Sequence, residues 1–517
     1  MSRLSTMCRL TAAQLVPTRT LAAMLVLGCT LAACSVGPDY KRPKVDTPPA
    51  FKEAEGWKVA EPNDTAPKGN WWDVYNDPAL DNLVKQVQVS NQNVMVAEAQ
   101  YRQALALVSQ ARANYFPLIT ADASSLRSQN ALVTGVSGTG TSTGTPTTGN
   151  PGTGTGTGGG SQNQTIPGAT GTRNVDRVSL SLSWEIDVWG RIRRQVESNK
   201  AAAVASESDL ANALLSAQAM LVQSYVQLRA TDTDIDLYEK SVAAYDKALK
   251  ITMNRYEAGV AQRTDVTQAQ GQLESAKAAG FDLQVTRATL EHAIAVLVGK
   301  PPAELSIERT NQLPNIPETP VSVPAALLER RPDIAGAERR AAAANALIGV
   351  ARAAYFPELS LTGSGGYESN TFNHLFSVPN RFWSLGPELA QTVFDAGAIH
   401  AQVKQNIAAY DASVATYRQT VLAAFQDVED NLATLKWLSQ EAVAQAAAAA
   451  AAEQTLSITE NQYQAGTVDY LNVVIAQQSA LTAERAVRDL ANRRLTASVG
   501  LLKALGGGWQ TTMLTHE

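Results

Sequence analysis

Residues 190–256 read GRIRRQVESNKAAAVASESDLANALLSAQAMLVQSYVQLRATDTDIDLYEKSVAAYDKALKITMNRY, with no proline and no glycine after Gly190. Small and apolar residues recur in this stretch at spacings of four and three, which is the heptad pattern of a coiled-coil seam. The seam positions are Leu210, Leu214, Ala217, Leu221, Ser224, Leu228, Thr231, Ile235, Tyr238, Val242, Tyr245, Leu249, Thr252 and Tyr256. The stretch predicts one helix roughly 100 Å long at 1.5 Å per residue, which is more than a compact domain needs.

The same pattern occurs a second time in the chain. Residues 397–463 have the same length and also lack internal proline and glycine, although their seam is weaker and richer in alanine. Two short motifs accompany both copies: Tyr-Phe-Pro at 115–117 and 355–357, and Tyr-x-Ala-Gly at 256–259 and 463–466. We interpret these matches as an internal duplication, in which each half gives a helix, a β-hairpin, a long helix, a turn and a return helix.

The hairpins carry the second structural signal. Residues 178–188 alternate strictly between apolar and polar side chains, as a half-buried strand of a soluble protein would, but their length also suits a tilted membrane-spanning strand. The second hairpin uses 359–367 and 382–393, and Pro387 favours an edge or irregular position for its last strand. Four such strands cannot close a barrel, and lipid does not tolerate an open sheet edge. A barrel of eight strands has an interior filled by side chains, so a passage needs more strands. Twelve strands from three chains form the smallest closed barrel above eight strands, so we expect a homotrimer.

The N-terminus has the pattern of a bacterial lipoprotein signal. Three arginines precede an apolar core at 21–33, and this core ends in Leu-Ala-Ala-Cys, which resembles a lipobox. We therefore expect a lipid on Cys34; an ordinary signal cleaved after a small residue is the alternative. Cys8 and Cys29 leave with the signal, so Cys34 has no partner for a disulfide. Ser35 favours the outer membrane, because aspartate at that position would favour retention in the inner membrane.

Composition and motifs argue against other classes of protein. A net charge of −5 with 18% charged residues does not suggest a nucleic-acid partner. The four histidines lack metal-site spacing, and the chain has neither a nucleophile elbow nor a phosphate-binding loop, so we expect no metal, no cofactor and no enzyme. A structural coiled-coil lipoprotein without a pore is a further alternative. The basic residues Arg191, Arg193 and Arg194 fit a solvated turn, a contact with lipid headgroups, or some other partner, since cations oppose the dipole of a helix N-terminus.

Several motifs, in this order, resemble the TolC/OprM outer-membrane factor family, in its NodT-type lipoprotein branch. They are Cys34 followed by Val-Gly-Pro-Asp-Tyr at 36–40, Trp71-Trp72, and the duplicated Tyr-Phe-Pro and Tyr-x-Ala-Gly motifs. The resemblance implies a mixed α and β fold: a long α-helical coiled-coil periplasmic tunnel, an equatorial belt, and a transmembrane β-barrel of 12 strands in a trimer. It also implies an outer-membrane exit duct of a tripartite efflux pump for drugs or other small molecules. Its partners would be a periplasmic adaptor, an inner-membrane RND-type transporter and outer-membrane lipid, and it would need no cofactor. A duct for type I protein secretion is the alternative.

The resemblance and the patterns together divide the chain into six segments. They are a signal peptide at 1–33, an N-terminal arm and equatorial region at 34–76, a first repeat at 77–299, an equatorial connector at 300–331, a second repeat at 332–506 and a tail at 507–517. In the first repeat we expect a helix from Asp77 to Tyr115, a hairpin with a low-complexity loop at 128–173, the helix 190–256 and a return helix from Arg263 to Leu297. In the second we expect a hairpin at 357–395, the helix 397–463 and another return helix.

The resemblance also assigns roles to the two helix tips. Gly259-Val260 and Gly466-Thr467 are similar to the family's tip motifs that contact the adaptor, and each glycine suits a helix stop with positive φ. The alternative is a plain turn between helices.

A periplasmic aperture is expected just beyond the second tip. The family commonly closes it with a leucine ring and one or two aspartate rings. The corresponding positions are Leu471 for the leucine and Asn472 and Ile475 for the acids, and Asp469 is the nearest carboxylate. We expect an aperture sealed mainly by apolar side chains, with Tyr463 holding neighbouring coils together. Ile475 packed against a neighbouring helix is the alternative.

Overall fold

The computed structural model describes residues 36–54, 70–129, 172–316 and 331–507. The signal peptide, Cys34 and most of the low-complexity loop therefore lie outside the described residues. Two compact units are present: a helical unit and a β unit. Within the described ranges, the β unit comprises 113–129, 172–187 and 356–393, and the other described residues belong to the helical unit.

Seven α-helices in the described ranges carry the helical unit. They are α1 (Pro78–Ser90), α2 (Gln92–Ala113), α3 (Arg191–Glu257), α4 (Arg263–Leu297), α5 (Pro332–Ala353), α6 (Ala398–Gln464) and α7 (Tyr470–Ala504). Helices α3 and α6 both contain 67 residues, and α4 and α7 both contain 35. Among these helices none is both long enough and apolar enough to cross a membrane.

The long helices begin and end one residue later than the sequence predicted. Gly190 and Gly397 precede α3 and α6 with φ of +83° and +90°, a conformation that glycine adopts without strain. The chain therefore turns at each glycine and becomes helical at the next residue. The first return helix, α4, has the predicted bounds, and its first turn is closed by a capping box between Gln262 and Asp265.

The single helix predicted from Asp77 to Tyr115 is wrong, because the chain breaks at Asn91. The Oδ1 atom of Asn91 accepts hydrogen bonds from the backbone N–H groups of Asn93 (3.0 Å) and Val94 (3.1 Å), which makes Asn91 the cap of α2. Its Nδ2 atom also donates to the carbonyl of Leu297, 2.7 Å away at the end of α4. A residue in an apparently continuous helical stretch thus ends one helix, starts the next and ties both to a third.

The β unit is one antiparallel sheet with strand order β1-β2-β3-β4. The strands are β1 (Leu118–Gln129), β2 (Thr172–Glu185), β3 (Glu358–Ser369) and β4 (Arg381–Ala390). The two hairpins join through β2 and β3, where Val178 lies opposite Tyr367. Pro387 lies on β4, which is an edge of the sheet, as its missing N–H predicted.

The predicted strand limits need correction in both hairpins. Strand β3 runs from Glu358 to Ser369 rather than over 359–367. Strand β2 ends at Glu185 rather than at 188 and begins earlier, at Thr172. Strand β1 continues to Gln129, so the connecting loop is shorter than the predicted 128–173 at both ends. Strand β4 stops at Ala390 rather than at 393. The alternation of apolar residues located β2 and β3, but it did not fix where pairing with the neighbour stops.

The N-terminal arm packs along the helical unit. Asn345 on α5 donates from Nδ2 to the Pro38 carbonyl at 2.9 Å. The hydroxyl of Tyr40 donates to the buried carboxylate of Glu338 at 2.6 Å, and burial together with this bond raises the pKa of Tyr40. Further along, Phe51 is buried against α6 and α7. The arm therefore supplies partners for polar groups that the helices bury.

The arm also explains the basic cluster at the start of α3. Arg194 is buried, and its guanidinium lies 2.8 Å from both Asp39 of the arm and Glu197 of its own helix. The interpretations as a solvated turn or a headgroup contact are therefore wrong for Arg194. Its partner is a segment of the same chain more than 150 residues away in sequence.

Candidate functional site

The turn between α3 and α4 forms the first tip. Gly259 has φ of +73°, and its N–H donates to the Tyr256 carbonyl at 2.9 Å, while the N–H of Val260 donates to the Arg255 carbonyl at 2.8 Å. These two bonds are the Schellman pattern that satisfies the last carbonyls of a helix. A Cβ atom at Gly259 would meet nothing within 4 Å, so there is room for a larger residue. Glycine is required there because of the positive φ angle. The side chain of Val260 is 67% exposed at the end of this turn.

The turn between α6 and α7 has the same geometry. Gly466 has φ of +76° and donates to the Tyr463 carbonyl at 3.0 Å, and the N–H of Thr467 donates to the Gln462 carbonyl at 2.9 Å. Thr467 is exposed, as is Gly466. The four residues named for adaptor contact therefore form two exposed turns of one conformation.

Arg255 joins the two tips, and sequence reasoning did not identify it. Its Nη1 atom donates to the carbonyls of Tyr463 at 3.0 Å and Gln464 at 3.3 Å, which lie in the last turn of α6. The guanidinium also lies 4.6 Å from the centre of the Tyr463 ring. A cation at the C-terminal end of a helix interacts favourably with the helix dipole and with its unsatisfied carbonyls. Arg255 of the first tip thus caps the helix that leads to the second.

We call the contact between Arg255 and the last turn of α6 the tip joint. Tyr463 is buried inside this joint. It is buried in a cluster with Ala269, Tyr470 and Val473, and its ring meets that of Tyr470 edge-on with centroids 5.3 Å apart. Burial raises the pKa of Tyr470 to about 12, so this tyrosine is neutral at physiological pH. In the described part of the chain the buried Tyr463 hydroxyl has no hydrogen-bond partner. Apolar packing and the Arg255 cation hold the joint.

The remaining aperture residues lie at the start of α7. Asp469 is the N-cap residue and is exposed. Leu471 is 52% and Ile475 is 59% exposed, and Asn472 is exposed beside them on the same face. The opposite face, with Val473 and Ala476, is buried in the helical unit. Within one chain the structure therefore brings Leu471, Asn472 and Ile475 together on an open face and separates them from Tyr463.

A second set of buried polar residues lies where the connector crosses α3 and α4. Asp232 is fully buried and accepts hydrogen bonds from Arg229 at 3.2 Å and Arg287 at 2.7 Å. The two arginines also donate to the backbone carbonyls of Glu308 and Ile307, each at 2.6 Å. The network fixes the connector to the helices. Over the described ranges, no group of three or more His, Cys, Asp or Glu residues could hold a metal ion.

Comparison with known proteins identifies this arrangement. The family model for outer membrane efflux proteins matches residues 83–300 and 323–507. The antibiotic efflux pump outer membrane protein ArpC of Pseudomonas putida is 29% identical, over 95% of this chain and 96% of its own length. Outer membrane protein OprJ of Pseudomonas aeruginosa is 30% identical, over 94% and 95%. The structure of the outer-membrane channel OprN matches with a TM-score of 0.78 and 29% identity, covering 92% of this chain and 100% of that one.

These matches show the class of the protein: it is an outer-membrane channel with a mixed fold that is mainly helical. The chain belongs to the outer membrane efflux protein family. It is accordingly an efflux channel of the outer membrane with a periplasmic tunnel, and it serves as the exit duct of a tripartite pump.

Proposed function

We propose that three copies of this chain form a closed channel through which small organic molecules leave the cell. The observation that carries this proposal is the four-stranded sheet, whose edges are β1 and β4 in the described part of the chain. Both edge strands expose large apolar side chains, among them Ile119 on β1 and Trp383 on β4. In lipid every backbone polar group needs a partner, so these edges require neighbouring copies. Twelve strands from three duplicated chains give a barrel wide enough for a passage.

The proposed partners contact the two exposed turns. We assign the turns at Gly259-Val260 and Gly466-Thr467 to a periplasmic adaptor, which in turn connects to an inner-membrane RND-type transporter. Their common geometry and exposure support the assignment. The lipid on Cys34 would add an anchor in the outer membrane, although this residue lies outside the described ranges.

We assign the aperture to the exposed face at the start of α7. Leu471, Asn472 and Ile475 carry no charge, and the exposed Asp469 lies closer to the turn. A ring of such side chains would close a pore by narrowing it and excluding water rather than by binding cations. The joint around Tyr463 would hold the neighbouring coils in place.

Organic molecules are the proposed substrate class. Soft thioether ligands are preferred by Cu(I), so a copper exporter would be expected to cluster its methionines. Met95 lies on α2, and Met220 and Met253 lie more than 30 residues apart on α3. This scattering supports organic substrates. The name of the relative ArpC, an outer membrane protein of an antibiotic efflux pump, supports them as well.

Three measurements together separate this function from its alternatives. We expect the purified protein to show the mass of a trimer and to conduct ions in planar bilayers. We also expect deletion of its gene to increase accumulation of fluorescent dyes and antibiotics, and the wild-type gene to reverse the increase. A conducting trimer whose deletion affects only a secreted protein would favour type I secretion. A monomer without conductance would contradict the channel itself.

A further inference from the structure

The four strands place their side chains on two faces of the sheet. One face of β2 carries large apolar side chains, which are Val178, Leu180, Leu182 and Trp184. In the proposed barrel this apolar face contacts lipid, and the opposite face lines the passage. Successive side chains of a strand alternate between faces, and residues opposite each other on paired strands share one. The strand register therefore assigns every other residue of the sheet to the passage.

The passage face is hydroxylic in its middle and charged toward its ends. In the middle, Ser181 lies opposite Ser364, whose hydroxyl is 2.8 Å from that of Ser384. The acids of this face are Asp122, Glu185, Glu358, Glu368 and Glu388, and its bases in the described strands are Arg173 and Arg177. A negatively charged solute thus meets mainly carboxylates along the passage, and the two arginines offer it an opposite charge.

Both arginines lie at the end of the sheet where the hairpins turn. The first hairpin turns between Gln129 and Thr172, and the second turns between Ser369 and Arg381. Longer loops of outer-membrane barrels face the outside of the cell, so this is the outer end of the passage. A solute meets these guanidinium groups just before it leaves.

An aromatic ring holds Arg177 in place. Phe382 on β4 lies opposite Gly366 on β3, and Gly366 lies opposite Ser179 on β2. A Cβ atom built on Gly366 would collide with the Val178 carbonyl, so the two strands approach closely there. Since glycine has no side chain, the ring of Phe382 reaches across β3. Its centre is 4.6 Å from the guanidinium carbon of Arg177, which is a cation–π contact.

The guanidinium of Arg177 keeps hydrogen-bond donors available for a solute. A carboxylate oxygen of Glu368 lies 3.7 Å from its Nη1 atom, which is longer than a hydrogen bond, and both side chains are 42% exposed. An exposed ion pair contributes little stability. A passing anion can therefore replace Glu368 as the partner, while the Phe382 ring keeps the guanidinium in position. Its planar fork of donors matches the oxygens of carboxylate, sulfonate and phosphate groups.

We propose that Arg177, positioned by Phe382, binds the acidic group of exported organic anions near the outer end of the passage. This inference rests on the proposed channel and adds a chemical class of solute to it. Three copies place three such guanidinium groups around the passage, each beside a carboxylate of Glu368. Solute preference is then set in part by the sheet itself.

Ion selectivity in planar bilayers tests the charge of this site. The reversal potential in a KCl gradient gives the ratio of potassium to chloride permeability. We expect Arg177→Gln to raise this ratio about threefold, which is the effect of one unit charge about 6 Å away in water. Glu368→Gln should lower it. Arg381→Gln is the matched control, because Arg381 is exposed at the same end of the sheet but lies opposite Tyr367 on the lipid face; it should leave the ratio unchanged.

Block by an organic anion tests binding. Naphthalenesulfonate added on the outer side should interrupt the wild-type current, and about tenfold more should be needed in Arg177→Gln, which loses a hydrogen bond between charged groups. Phe382→Leu should also weaken the block. Arg177→Lys keeps the charge without the planar fork, so it should keep the wild-type permeability ratio and still lose block.

The mass of the assembly is measured for every variant. Conducting trimers in which Arg177→Gln and Arg177→Lys change neither quantity more than Arg381→Gln does would overturn this inference and leave the proposed channel intact. Absence of conductance in the wild-type trimer would overturn both.

Discussion

Replacing Arg255 by methionine should open the periplasmic end of the channel. Methionine keeps an unbranched apolar stem but removes the guanidinium that bonds to the last carbonyls of α6 and lies over the Tyr463 ring. If the tips form a ring, widening its aperture lengthens the perimeter that the tips share. The Arg255 contact resists that lengthening at one joint in each chain.

The size of the effect follows from the contacts that are lost. We count only the shorter of the two carbonyl bonds, from Nη1 to Tyr463 at 3.0 Å. A hydrogen bond to a charged group contributes about 1.5–3 kcal/mol, and a cation–π contact about 0.5–1 kcal/mol at a partly exposed site. The joint is therefore stabilised by about 2–4 kcal/mol. Since about 1.4 kcal/mol corresponds to a tenfold change, the open fraction should rise by about 30-fold to about 700-fold for each joint that acts independently.

Single-channel recording and antibiotic susceptibility measure this change. We expect a higher open probability of Arg255→Met in planar bilayers, and greater sensitivity of cells to antibiotics that are too large for the closed channel. Arg263→Met is the matched control, since Arg263 is an exposed arginine at the start of α4. An Arg255→Met trimer with wild-type open probability would refute the reasoning, and so would an equal increase in the Arg263→Met control.

The other predictions concern the aperture, the tips and the anchor. Leu471→Ser should raise conductance, and cations should block the wild-type channel only weakly; tight block that is lost in Asp469→Asn would show that a carboxylate ring closes it. Val260→Asp combined with Thr467→Asp should abolish export while trimers still assemble, because charges replace side chains proposed to contact the adaptor; wild-type export would exclude docking there. Mass spectrometry should find acyl chains on Cys34 and none in Cys34→Ser, and an unmodified Cys34 in membrane-extracted protein would exclude the lipid anchor.

The sequence predicted the long helices well because their signal is local and repeated. An uninterrupted heptad pattern fixes a helix over many turns, and Gly190 and Gly397 set where each one starts. The glycines at both tips were also predictable, because a helix stop with positive φ favours that residue. The bounds of α4 followed from the first tip and from Gly299, where φ is again positive at +72°.

The joints between segments could not be predicted in the same way. Asn91 sits in a stretch whose composition suits a helix, and the chain breaks there because its side chain caps α2 and bonds to the distant Leu297 carbonyl. Arg255 and Tyr463 are 208 positions apart, so no local pattern relates them. In the sequence, Arg194 is one of three basic residues at the start of a helix. Its partner Asp39 lies in an arm without helix or strand around it, so no sequence pattern relates the two residues.

These joints share a physical role that the helices cannot perform for themselves. A seam of small residues, such as that of α6, allows one helix to slide along another at little cost in contact area. Buried ions do not slide, because a displaced partner leaves an uncompensated charge that costs about 3–5 kcal/mol. Arg194 is such a buried ion and fixes the arm to α3, and the buried Asp232 fixes α3 to α4 and the connector. Arg255 is only half-buried, and it joins the tips through hydrogen bonds to neutral carbonyls. The apolar seams hold the helices side by side, and these polar contacts determine their register along the tunnel.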